Sequence, residues 1–241
     1  RLRDSMGDAA WVDVYEVQFY IGVVVMLLVF LLVRHQQTKP SGGGGIGGFS
    51  ALQRMPGWFP LTLAYGCFGF MYLLILGFLT TRLEDDSGWT SVDASVAFSM
   101  LGVAMIFGGP VLTTLAQRFG VRRILSVAFG LWPVFSVILL SGIRVPVWFA
   151  CVGIGFLFSS LPSLITLYVV ENTTTKDYGA SFAAATLVFG IAQTISPPIG
   201  GWIADTAGSF TLVFLLSAAT SLVGLVATLR LPPTGGLLKV E

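Results

Sequence analysis

Charge is what this sequence has least of. Asp, Glu, Lys and Arg together make up 10% of its 241 residues, against about a quarter in soluble domains, and 55% of the side chains are apolar. A mean hydropathy of +0.86 excludes a water-solvated surface of ordinary composition, so the solvent is read as a bilayer. Thirteen basic residues stand against twelve acidic ones, a formal charge of +1, which excludes recruitment of nucleic acid by a bulk positive field. There are two cysteines, Cys67 and Cys151, too far apart for a CxxC redox motif or a Cys-rich zinc site. The single histidine, His35, lies in a polar stretch, and the sequence contains no HExxH, Ser–His or paired-Asp constellation within its apolar runs. Neither an enzyme nor a resident metal or cofactor is expected.

What is present is a series of long apolar runs. A helix crossing about 30 Å of hydrocarbon needs about 20 residues and satisfies its own backbone polar groups there. Seven runs meet that length: 14–33, 57–80, 92–117, 124–142, 145–170, 179–204 and 210–229. The fold class that follows is an all-α polytopic membrane protein with seven transmembrane helices. Because the chain begins at Arg1 rather than Met, it is expected to be a piece of a longer protein.

Basic residues in short loops are retained on the cytoplasmic side. If the loops after the first, third, fifth and seventh spans are cytoplasmic, that side holds Arg34, Lys39, Arg54, Arg118, Arg122, Arg123, Lys176, Arg230 and Lys239. The opposite side then holds most of the acids, among them Glu84, Asp85, Asp86, Asp93 and Asp205. The carboxy-terminus is thereby expected in the cytoplasm. Residues 34–56 contain HQQTKPSGGGGIGGFS, read as a flexible Gly-rich cytoplasmic linker. A phosphate-binding loop is the sharper reading, but the stretch lacks the GKS/T ending. The expected organisation is an outer segment and one helix over 1–33, the linker over 34–56, a six-helix unit over 57–230 and a cytoplasmic tail over 231–241.

GGPVLTTLAQRFG ends at Gly120 and PPIGGWIADTAG ends at Gly208, 88 residues later. One copy closes the third span and the other the sixth, on opposite sides, so the last six spans read as two three-helix units of inverted topology.

The stretch GGPVLTTLAQRFGVRR resembles the loop motif of the major facilitator superfamily (MFS), G-x-L-x-D-R-x-G-R-R/K, matching it at Arg118, Gly120, Arg122 and Arg123. Gln117 replaces the usual Asp, and Gly109 and Pro110 lie upstream. AYGCFGFMYLLILGFLTT and TLVFGIAQTISPPIGGWIADTAGSF are similar, more narrowly, to the bacterial YbfB/YjiJ-type branch. The resemblance covers roughly 57–229. It implies the carboxy-terminal half of a secondary transporter of the bacterial cytoplasmic membrane, moving a small solute by alternating access, with the first span as the last helix of a missing amino-terminal half. It also implies that the missing half, or a second chain, is the partner. The loop motif would latch the two halves in the outward-facing state, or its arginines serve only as topology anchors. A non-transporting scaffold built on a transporter half is the alternative function.

Polar side chains kept inside the spans are the candidate solute contacts. Tyr65 and Tyr72 lie seven apart on one face, Ser159, Ser163 and Thr166 follow i, i+4, i+7, and Thr186 and Gln193 are again seven apart. Each has a plainer reading: hydroxyls that bond the carbonyl four residues back, an amide that joins helices, tyrosines that pack. Phe70, Phe156, Phe158 and Phe189 flank these stripes, close to background among 19 Phe. No Asp, Glu, Lys, Arg or His sits near the centre of a span, so any proton coupling is expected to run through the missing half. Gly102, Gly108, Gly109, Gly153, Gly155, Gly190, Gly200 and Gly201 are expected to permit close crossings, and Pro110, Pro133, Pro162, Pro197 and Pro198 to bend their helices.

Overall fold

A computed structural model describes residues 10–32 and 47–233. The outer segment, the first part of the linker with His35 and Lys39, and the tail with Lys239 lie outside the described residues. The chain divides into two units, residues 1–42 and 43–241. The first contains α1, Ala10–Leu32, a helix apolar enough to cross a membrane.

In the second unit the described residues form α2 (Gly47–Gln53), α3 (Trp58–Leu76), α4 (Leu79–Asp85), α5 (Ser91–Phe119), α6 (Val121–Leu139), α7 (Arg144–Asn172), α8 (Thr175–Ala207) and α9 (Thr211–Leu229). With α3 and α4 taken as one span, six helices here are long and apolar enough to cross a membrane, seven with α1. The integral-membrane, all-helical class is therefore as expected. Two boundaries are not. The end of the presumed flexible linker is the helix α2, which turns Ala51, Leu52 and the following Met55 into the interior. Its Gly48 lets the backbone approach Ala180 of α8, and Arg54 pairs with Asp177 at 2.8 Å. Three buried apolar side chains among the glycines suffice to dock a segment whose composition alone reads as coil.

The second departure is the break in the expected span 57–80. α3 stops at Leu76, and Phe78 leaves helical geometry with φ −121° and ψ 0°. Its ring stands 5.5 Å from that of Phe210 and lies where a Cβ on Gly200 would come within 2.6 Å. Turning that ring towards α8 and the start of α9 takes the chain out of the helix at a Gly–Phe pair, where helix propensity is weak.

Packing follows a two-fold exchange. α3 packs chiefly on α8 and α9, the second and third helices of the other three-helix unit; α7 packs chiefly on α5 and α6; α6 and α9 pack on each other. Exchanging α3 with α7, α5 with α8 and α6 with α9 leaves this pattern unchanged, as an inverted repeat requires. The two glycines aligned in the sequence are equivalent here: Gly120 ends α5 with φ 91° and Gly208 ends α8 with φ 65°, conformations that side chains disfavour.

In lipid, helices associate through close packing and interhelical hydrogen bonds rather than through exclusion of water. Both devices are present. A Cβ on Gly108 would strike the carbonyl of Phe156, and one on Gly155 the carbonyl of Leu101, so α5 and α7 cross at backbone distance. Trp132 Nε1 donates to Ser217 Oγ at 3.0 Å, which in turn donates to the Met71 carbonyl at 2.8 Å, joining α6, α9 and α3. Gly153 faces the Phe135 ring and Gly109 the Ser163 hydroxyl. Gly102, Gly190 and Gly201 meet nothing within 4 Å, contrary to expectation. They sit on faces turned away from the crossings, which a count of glycines per span does not reveal. Pro110, Pro133, Pro162, Pro197 and Pro198 all lie inside continuous helices.

Candidate solute-binding site

The chemistry of the second unit concentrates where α3 meets α8. Gly69 permits this contact, since a Cβ there would come within 2.6 Å of the Phe189 carbonyl. Ser196 Oγ of α8 donates to the Phe70 carbonyl at 2.7 Å. Tyr72 and Gln193 then face each other, and the Tyr72 hydroxyl donates to Gln193 Oε1 at 2.8 Å. The amide nitrogen of Gln193 keeps two donors without a partner among the described residues, on a half-buried side chain.

Around this pair stands an aromatic wall. Phe189 stacks on Tyr65 at 4.7 Å between centroids, on Phe68 at 5.7 Å and, tilted by only 7°, on Tyr72 at 5.9 Å. Phe158 of α7 closes the wall edge-on against Tyr72 at 5.1 Å. Trp132 of α6 meets Phe68 at 6.4 Å, edge to face. α7, which touches α3 and α8 little elsewhere, thus joins them in one cluster. The Tyr65 hydroxyl reaches the Thr186 side chain. None of these side chains carries a formal charge, so the surface offers ring faces and uncharged hydrogen-bonding groups.

The structure brings together Tyr65, Tyr72, Thr186 and Gln193. It places Ser159 and Ser163 elsewhere, in the α5–α7 crossing. There Ser159 Oγ accepts the Gly109 N–H at 3.0 Å, and Ser163 donates to the Ser159 carbonyl at 2.9 Å. Thr166 and Thr186 likewise donate to the carbonyls of Pro162 and Phe182, four residues back. The hydroxyl stripe on α7 is thereby largely consumed by backbone bonding. Sequence reasoning missed Phe68 and Trp132, and set Phe158 and Phe189 aside. Phe68 is three residues after Tyr65 and four before Tyr72, a spacing that marks the same face, but one Phe among many gives no signal until the neighbouring helix is placed.

A buried cation was also missed as a structural centre. Arg82 of α4 is 4% exposed; its guanidinium donates to Ser87 Oγ at 2.6 Å and to the Leu140 carbonyl at 2.8 Å, at the end of α6. Asp86 accepts from the Phe210 N–H and the Ser209 hydroxyl, both at 2.9 Å, at the start of α9. Arg144 pairs with Asp93 at 2.7 Å, and Trp89 Nε1 donates to the Gly142 carbonyl at 2.9 Å. The acidic end of the bundle is thus tied together through its loops, with Arg82, Asp86, Asp93 and Arg144 each set against a helix terminus of favourable sign or an opposite charge.

At the basic end the loop motif is partly engaged. Arg122 donates to the Leu229 carbonyl, at the end of α9, where a cation faces the negative end of the helix. Gln117, Arg118 and Arg123 are exposed and make no such bond among the described residues.

Comparison with known proteins decides the family. The profile of the Major Facilitator Superfamily matches residues 61–239. The chain belongs to the Major Facilitator Superfamily. Raffinose permease of Escherichia coli is 25% identical over 177 residues, covering 64% of this chain and 41% of the permease. Monocarboxylate transporter 12 of Rattus norvegicus is 26% identical over 166 residues, covering 65% of this chain and 32% of that transporter. The chain therefore spans well under half the length of these relatives. Among solved structures, the E. coli fucose:proton symporter FucP superposes with a TM-score of 0.67 at 19% identity, over 93% of this chain and 57% of FucP. A bacterial homologue of the human lysosomal transporter Spinster gives 0.57 at 13% identity, over 91% and 58%. Membership of this superfamily agrees with the expectation of a transporter rather than an enzyme.

Proposed function

We propose that this MFS chain is the carboxy-terminal half of a secondary transporter, with α1 as the last helix of the other half and the Gly-rich stretch that precedes α2 as the connection between halves. The whole protein moves a small solute across a bacterial cytoplasmic membrane by alternating access, with the basic end and the carboxy-terminus in the cytoplasm. Similarity to the YbfB/YjiJ-type branch belongs to the same proposal. The two-fold exchange of helix partners and the 88-residue spacing of Gly120 and Gly208 support the six-helix half. The solute would occupy a cavity completed by the missing half or by a second chain. Any proton coupling would use a titratable group there.

The observation that carries the site is the Tyr72–Gln193 pair inside an uncharged aromatic wall drawn from α3, α7 and α8. An amide with two unused donors on a half-buried face is costly in hydrocarbon unless it meets a polar group, and a solute oxygen meets that need. Gly120, Arg122 and the aligned Gly208 serve the connections between helices that rock, and the prolines in α5 and α8 soften those helices. Replacing Gln193 with Leu in the whole protein lowers uptake or efflux while membrane abundance stays the same. Unchanged transport removes the site.

A further inference from the structure

The face of α3 turned away from Tyr65 and Tyr72 lines a different concavity. α8 and α9 both pack on α3 but touch each other little. Between them runs a groove of about 350 Å³ floored by Phe59, Leu63, Gly66 and Phe70 and walled by Val188 and Thr220. Its hydroxyls are spent: Thr62 donates to the Trp58 carbonyl at 2.7 Å and Thr220 to the Leu216 carbonyl at 2.8 Å. With Cys67 as the remaining lining residue that carries a heteroatom in its side chain, the lining is almost wholly apolar and disfavours a polar solute, and Phe59 and Leu63 stand exposed in a helix that crosses the bilayer.

Length and charge narrow the occupant. The eleven steps from Phe59 to Phe70 run about 16 Å along the helix axis, about half of the ~30 Å hydrocarbon core and so the depth of one leaflet. The groove begins at the basic end. Gly57, just before α3, lies against Pro232, just after α9, and Arg54 joins Asp177 at the start of α8. The exposed side chains Arg230 and Lys176 therefore belong to the same end of the bundle as Phe59, at interfacial depth, where a basic side chain attracts anionic lipid.

We propose that this groove is a lipid site: it holds one acyl chain of an anionic phospholipid from the leaflet at the basic end, with the headgroup on Arg230 and Lys176. The chain lies between α8 and α9 and supports α8 on the side opposite the Gln193 contact. This holds whether or not the aromatic wall binds a solute.

The test uses the full chain reconstituted in phosphatidylcholine vesicles containing phosphatidylglycerol with a diazirine midway along one acyl chain. After irradiation, adducts are mapped by peptide mass spectrometry. Adducts on residues 59–70 are expected to be severalfold denser than on the exposed α5 face of Val103, Ile106 and Phe107. They are expected to fall severalfold in Gly66→Leu, which fills the floor, in Thr220→Leu, which fills the wall without adding a side chain between α3 and α8, and in a Lys176→Gln/Arg230→Gln variant. The same diazirine on phosphatidylcholine is expected to label the groove less. Equal labelling of the groove and the α5 face, as a protein segment seated in the groove would also give, overturns the proposal. So does equal labelling by the two headgroups.

Discussion

Gly108 and Phe156 lie so close across the α5–α7 crossing that a Cβ on the glycine would collide with the phenylalanine's carbonyl oxygen, and Gly155 repeats the arrangement against Leu101. Backbone carbonyls cannot rotate aside as side chains do, so these contacts fix the distance between the two helices.

Replacing Gly108 or Gly155 with Ala therefore forces α5 and α7 apart. A loss of about 1–3 kcal/mol is expected, the range for overpacking a close-packed interior, seen as a lower unfolding temperature in detergent. Gly102→Ala, where nothing lies within 4 Å, serves as the control. It is expected to be neutral or slightly stabilising, since Ala is favoured over Gly in a helix by about 1 kcal/mol.

Gly120 is needed for its backbone rather than for space. Its φ of 91° with ψ of 135° lies outside the left-handed helical region, and nothing stands within 4 Å of a Cβ. Gly120→Leu is expected to cost about 1–3 kcal/mol in backbone strain. Asn, which tolerates left-handed geometry, should rescue Gly208, with φ 65° and ψ 19°, better than it rescues Gly120. Thermal unfolding of the four Leu and Asn variants checks the order.

Arg82 is expected to be the most sensitive charged position among the described residues. Arg82→Leu strands the Leu140 carbonyl and Ser87, at a cost of about 1–3 kcal/mol for buried groups left unpaired. Arg82→Lys keeps the charge but cannot span both partners as the guanidinium fork does, so its stability should fall between the two. Chemical unfolding of the three proteins in detergent gives the ranking.

Much of the fold is legible in the sequence because lipid imposes long apolar runs and sorts basic from acidic loops. The positions of Arg118, Arg122 and Arg123 against Asp86 and Asp93 identify the two ends before any helix is placed. The break at Gly77–Phe78 is not legible, because its cause is a ring inserted beside Gly200 and Phe210, more than 100 residues away. The docking of α2 is hidden in the same way: Leu52 is an ordinary apolar residue in a Gly-rich stretch until Gly48 brings α2 against Ala180 of α8 and Leu52 is buried. Within the site, helical spacing put Tyr65 with Tyr72 and Thr186 with Gln193 and left only their meeting to be found. The same rule gave Ser159, Ser163 and Thr166 equal standing. Spacing reports a shared face but not which helix that face meets, and the α7 hydroxyls turn out to face α5 or their own backbone.

The central claim is that Tyr72 and Gln193 act together on a transported solute, and a double-mutant cycle on flux tests it most directly. Tyr72→Phe, Gln193→Leu and the double variant are placed in the whole protein, and solute flux per folded molecule in vesicles is compared with the parent. The interhelical hydrogen bond itself contributes only about 0.6 kcal/mol to stability, so all four proteins should fold alike. Each single change is expected to lower flux strongly, with the double variant scarcely worse than Gln193→Leu alone. Flux equal to the parent in Gln193→Leu, or losses that simply add, would contradict a shared solute contact and leave the pair as a structural tie between α3 and α8.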